Sequence, residues 1–325
     1  MTRSRLILVS SLAVVAAGVA VALGSRVMEP ARAAVGPLPP DGLALLSDAR
    51  FVMGLDVKRF VASPFHKRFR EGRPDAFKEV EAKTGVDPER DVDHVFVAGG
   101  ASGDRRGVAL VQGFFDRTRI TRSIESQGKS VTWKTHHGTT VYLFGETSKS
   151  PGALAFLDDR SILLGSAPAV ESVLARRAEG SAEPASGLLV DLLERVRSGS
   201  TFWMVGDQSL LASLPQTLPG SGAGGPPAFS LPAVKSLVVT GDLDPQVSLS
   251  LTGDTADAAS AKNVADIVRG FVALASLQAS RRPELAQLAS GVSVTTETNR
   301  IHVEARLPYE LLETLQGSPR PSTRP

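Results

Sequence analysis

The sequence predicts an α+β protein of two tandem units, each an antiparallel sheet with helices packed on one face. Three observations predict it. Strand-like and helix-like patterns recur in one order twice between residues 34 and 316. The last long strand pattern alternates strictly, with Ile301, Val303, Ala305 and Leu307 opposed to His302, Glu304 and Arg306, as a sheet with one covered face requires. Aspartates and glycines stand where strands hand over to helices or turns. The boundaries that follow are an export segment at 1–33, a first unit at 34–197, a second at 198–316 and a disordered tail at 317–325.

The N-terminus places Arg3 and Arg5 before an uncharged run from Leu6 to Gly24, followed by Arg26. That arrangement predicts export. The run is long enough for a retained transmembrane anchor, while Ala31-Arg32-Ala33 after Pro30 offers a cleavage site following Ala33. Both alternatives put residues 34 onward outside the cytoplasm, in the periplasm or at the outer face of the membrane. The absence of cysteine removes any disulfide framework. The sequence pI near 9.0 belongs largely to the export segment, because beyond residue 33 acidic residues outnumber basic ones by one. A nucleic-acid partner, which needs a basic surplus, is therefore not expected.

The repeat is read from four matches in the same order. FVMGLD at 51–56 answers FWMVGD at 202–207, and VDHVFVAGG at 92–100 answers VKSLVVTGD at 234–242. GVALVQGFFD at 107–116 answers QVSLSLTGD at 246–254, each ending on an aspartate that can cap a following helix. The second of those helices carries a stripe of Val264, Ile267, Val268, Phe271, Val272 and Ala275. A hairpin pattern follows in each unit, VTWKTHHGTTVYLF at 131–144 and VTTETNRIHVEARL at 294–307. A further hairpin at 152–166, turning at Asp158-Asp159, is expected as an addition to the first unit. Helical patterns at 166–177 and 308–316 close the two units.

Histidine chemistry is the first functional candidate. His136-His137 stand before Gly138 between two β-rich runs, which predicts an exposed hairpin tip with imidazoles on opposite faces. Zinc would need further ligands at recognisable spacing, and none is present. His302 reads as exposed sheet surface, and His66 and His94 as structural.

Other motifs fail on context. GSGAGG at 220–225 is followed by Pro226-Pro227 and has no preceding strand, so it reads as a flexible loop. SIESQGKS at 123–130 lacks the first glycine of a phosphate loop and runs helix to strand. Ser126-x-x-Lys129 and Lys83-Thr84-Gly85 stand in the reverse of the order used by penicillin-recognising serine enzymes. Asp87, Glu89, Asp91 and Asp93 lack the frame of a calcium loop and read as a turn with a cap.

One surface feature remains. Residues 58–73 interleave Lys58, Arg59, Lys67, Arg68, Arg70 and Arg73 with Phe60, Phe65 and Phe69. A short helix from Ser63-Pro64 would put Phe65 and Phe69 on one face and cations on the other, a surface suited to an anionic membrane.

The passages TGVDPERDVDHVFVAGG at 84–100 and DDRSILLGSAPAVESVL at 158–174 resemble uncharacterised exported bacterial cell-envelope proteins of the domain-of-unknown-function type. The resemblance implies an envelope protein and transfers no catalytic residue. The expected function is non-catalytic binding of a partner protein or of an apolar or polymeric ligand, with no cofactor and no metal. Two alternatives stand beside it: a membrane-surface protein using residues 58–73, and a hydrolase whose site is assembled from distant residues.

Overall fold

The computed structural model describes residues 37–46, 49–70, 76–100, 107–126, 131–145, 151–179, 187–209, 234–277 and 283–315. An α+β fold is present, and the strands among the described residues form one 12-stranded antiparallel sheet. In chain order the strands are β1 Phe51–Asp56, β2 Val92–Gly99, β3 Gly107–Gly113, β4 Val131–His136, β5 Thr139–Phe144 and β6 Gly152–Phe156. They continue with β7 Ser161–Ser166, β8 Phe202–Asp207, β9 Val234–Asp242, β10 Val247–Thr255, β11 Val292–Glu297 and β12 Arg300–Leu307. Across the sheet the order is β11-β12-β10-β9-β8-β1-β2-β3-β7-β6-β5-β4.

The expected halves meet at β1 and β8. Their register pairs Phe51 with Gly206, Val52 with Val205, Met53 with Met204, Gly54 with Trp203 and Leu55 with Phe202. A methyl group added at Gly54 would overlap the Trp203 indole, so the missing side chain is what seats the ring. Trp203 is 5% exposed there.

The helices are α1 Val57–Ala62, α2 Pro64–Arg70, α3 Ala76–Thr84, α4 Pro88–Asp91 and α5 Arg117–Ser126. After these come α6 Ala167–Ala178, α7 Gly187–Glu194, α8 Ala258–Leu277, α9 Pro283–Ser290 and α10 Tyr309–Leu315. Several start where the sequence supplies a cap. Asp56 accepts the Arg59 N–H at 2.9 Å, Asp87 the Glu89 N–H at 3.0 Å and Asp116 the Arg119 N–H at 3.0 Å.

Helices cover both faces of the sheet, correcting the expectation of one. On the back face a 3₁₀ turn at Pro40–Leu46, α6 and α7 bury Val52, Phe96, Leu110, Leu163, Trp203 and Val205. On the front face Val57, Phe60, Phe115, Ile120 and Tyr309 bury Leu55, Val95, Val111 and Ile162. A third cluster joins Val264 and Ala265 of α8 to Val234 and Ile301. The physical reason is legible in β2 and β3, whose consecutive apolar residues supply both clusters. Strict alternation holds in β12, an outer strand, and does not extend to β2 and β3.

The hairpins also pair differently from the sequence matching. β7 lies beside β3 as β12 lies beside β10, so β6 and β7 occupy the place of β11 and β12. The β4–β5 hairpin lies beyond β6, at one end of the sheet.

The expectation of a transmembrane element is corrected as well: among the described residues no helix is long and apolar enough to cross a membrane. The longest, α8, spends charged residues Lys262, Asp266 and Arg269 along its length. The run from Leu6 to Gly24, the glycine-rich loop at 215–232 and the tail at 317–325 lie outside the described residues.

Candidate functional site

The basic segment turns part of its charge inward. Lys58, at the start of α1, places its Nζ 2.5 Å from Oδ1 of Asp93, a buried carboxylate on β2. Arg68 on α2 donates to Glu310 at 2.8 Å and lies 3.5 Å from Glu313, with its guanidinium 5.2 Å from the centre of the Tyr309 ring. It clasps the C-terminal helix to the N-terminal half. Arg59 and Lys67 are exposed, while the side chain of Arg70, and Arg73 altogether, lie outside the described residues. Two of the four described cations thus hold the fold together and are not free for an anionic surface.

Among the described residues the histidines assemble no nucleophilic site. His137 and Gly138 both adopt positive φ, +46° and +78°, forming the two-residue turn that joins β4 to β5. The imidazoles of His136 and His137 do not diverge as expected, for their ring centres lie 4.6 Å apart, edge to face. Nε2 of His136 donates to the Glu171 carbonyl at 3.1 Å, which ties the hairpin to α6. His302 is partly buried and shares a 3.1 Å hydrogen bond with the Thr252 hydroxyl. His94 Nε2 is 3.9 Å from Asp56 Oδ2, beyond hydrogen-bond reach. His66 is buried between Phe60 and Phe77, with Glu89 Oε1 3.4 Å from its Nε2. The neighbouring Ser63 hydroxyl donates to the Phe60 carbonyl and accepts the His66 backbone N–H, so it faces the helix and not the imidazole. Among the described residues no group of three metal-ligating side chains converges.

A cleft of about 200 Å³ lies between Gly85, Arg90, Phe114 and Arg119. Its polar groups are engaged: Arg119 with Glu81 at 2.6 Å, Arg90 with Asp91 at 2.8 Å, and Asp116 as a helix cap. It is smaller than the several hundred Å³ usual for ligand pockets.

The strongest electrostatic feature lies on the back face. Asp254 accepts from Arg195 at 2.6 Å, from Arg300 at 2.8 Å and from Ser236 at 2.8 Å. Burial alone would raise its carboxyl, but these hydrogen bonds and the Arg195 charge prevail and hold it at about 2, below the ordinary 3.8. The cluster pins the chain after α7 to β9, β10 and β12 and leaves no oxygen poised for chemistry.

What remains is apolar. On the front face, register sets Leu164, Ala109, Val97, Met53, Met204, Val239, Leu251 and Val303 in one cross-strand row from β7 to β12. Four of these, Met53, Met204, Val239 and Leu251, are partly exposed and belong to none of the three core clusters. They straddle the β1–β8 junction. Below them α1, α2 and α10 cover Leu55, Val95 and Leu243, and to one side α8 covers Ile301. A patch of this kind, with two polarizable methionines side by side at one end, can repack against apolar guests of different shape. Met53 and Met204 are the third residues of the matched passages FVMGLD and FWMVGD, so the sequence held the signal, but only the register shows that they stand opposite one another.

No family model matches the chain, and no curated protein matches it. Among solved structures it is similar to crystal form I of TP0453, with a TM-score of 0.47 and 14% identity over 84% of this chain and 95% of that one. A likeness at that level carries no argument about this protein.

Proposed function

We propose that this chain is an exported, non-catalytic binding protein that holds an apolar ligand on the front face of its sheet. The observation that carries the reading is the patch of Met53, Met204, Val239 and Leu251, apolar, partly exposed and outside the packed core. The engagement of Asp93, Asp116, Asp254 and the Ser63 hydroxyl in structural contacts favours binding over catalysis. Work outside the cytoplasm rests on the Arg3, Arg5 and Leu6–Gly24 pattern of the N-terminus.

The same reading treats the chain as two tandem units. Its support is the pairing of Met53 with Met204 at the centre of the β1–β8 junction, where the third residues of the matched passages meet and the flanking positions pair reciprocally. In this reading the ligand patch is a property of the junction and neither unit has it alone.

The test is titration of the full chain with a fluorescent long-chain fatty acid. Saturable binding is expected, and the double variant Met53→Glu, Met204→Glu weakens it by ~tenfold or more, since charge enters an apolar contact. Binding that is absent, or that is unchanged in a folded double variant, overturns the proposal.

A further inference from the structure

The two edges of the sheet are treated differently. In β11 the turn after Glu297 makes Glu297 and Arg300 the closing pair, so Val294 directs its backbone groups outward. That edge is blunted: Arg269 of α8 donates to the Val294 carbonyl at 3.2 Å. In β4 the turn at His137-Gly138 makes His136 and Thr139 the closing pair. Alternation then points the N–H and C=O groups of Val131, Trp133 and Thr135 away from β5. Among the described residues no group meets them. The strand is regular, with six consecutive pairs and no bulge. Its one cation, Lys134, which would ordinarily discourage strand addition, is drawn onto Glu171 of α6 at 2.8 Å. Trp133 is 70% exposed beside this open ladder.

We propose that β4 is a self-association edge, at which a second copy of this chain adds its own β4 antiparallel. Backbone geometry fixes the register. Only Val131, Trp133 and Thr135 offer outward groups, so an antiparallel pair uses all of them when Trp133 lies opposite Trp133 of the second copy and Val131 opposite Thr135. Roughly six hydrogen bonds then link the copies. The side chains agree with that register. Two exposed indoles cover one another, β-branched Val131 meets β-branched Thr135, and Lys134 falls opposite Thr132, so no like charges are opposed. The junction repeats between copies the reciprocal pairing that β1 and β8 make within one chain. It also gives a use to the β4–β5 hairpin, which lies at one end of the sheet. The proposal is independent of ligand binding at Met53 and Met204.

The experiment is sedimentation of the full chain over a nanomolar to high-micromolar range, with tryptophan emission followed in parallel. Reversible doubling of the mass is expected, accompanied by a blue shift from Trp133, because Trp203 is already buried. Trp133→Lys sets two cations opposite each other. Thr135→Pro removes an outward N–H while sparing the bonds to β5. Each weakens association by ~tenfold or more while near-ultraviolet dichroism reports an unchanged core. A chain that stays monomeric throughout the range, or association that survives in both variants, overturns the proposal.

Discussion

Asp254 shows how much a single carboxylate can organise. It gathers two arginines and a hydroxyl from three separate elements, and its folded carboxyl sits at about 2. Because the folded value lies below the ordinary one, the contribution to stability is present above about pH 4. It is lost as the pH falls toward 2. Asp254→Asn should therefore cost roughly 1 kcal/mol near neutral pH, after allowance for solvent screening, with the gap to the unaltered protein closing below pH 3. Chemical denaturation at pH 7 and at pH 2.5 measures both arms, and a gap that persists in acid contradicts the assignment. The sequence marks Asp254 as a cap for the following helix, but that cap is Asp257, which accepts the Ser260 N–H at 2.7 Å, and Arg195, Ser236 and Arg300 reach Asp254 from distant parts of the chain. The caps at Asp87 and Asp116 were legible because a cap and its helix are neighbours in the chain. Lys58 and Arg68 mark the opposite limit. Their spacing reads as a solvated basic face, yet their partners Asp93 and Glu310 arrive from 35 and 242 positions away.

Among the elements, strands were easier to place than their neighbours. FVMGLD, FWMVGD and the alternating run through Ile301 lie where the composition puts them, because β-branched and apolar periodicity is a local property. Which hairpin lies beside β3 is a matter of long-range pairing, which a local pattern does not carry. Covering of both faces was partly visible in β2 and β3, whose apolar runs are too continuous for a sheet wet on one side. Junction strand β1 carries its own sharp requirement. Gly54→Ala forces the Trp203 ring off its seat and should destabilise the protein by about 2 kcal/mol, with a red shift of Trp203 emission in the folded state. Thermal melting and fluorescence of the variant check this, and an unchanged spectrum rules out the stacking role. The apolar patch beside it escaped sequence reading because each of its members looks like ordinary core.

At the scale of the whole molecule, the two halves share a core. Val52 and Phe96 of the first half pack in one cluster with Trp203, Val205 and Val238 of the second, and Tyr309 near the C-terminus lies against Phe65. Its hydroxyl donates to the Leu243 carbonyl. Residues 34–197 and 198–316 prepared separately should each fail to give cooperative unfolding, whereas the intact chain melts in one transition. Calorimetry of the three samples decides it, and two independently folded halves would refute the shared core. Twelve strands in one open sheet have a geometric consequence. At the ordinary twist of ~20° between neighbours, the direction in which the front face looks rotates through more than half a revolution from β4 to β11. A sheet twisted to that degree is a wrung ribbon, so no plane can rest against all of its face. Whatever lies flat can touch a few strands, and an object that embraces the middle has to be saddle-shaped or supple.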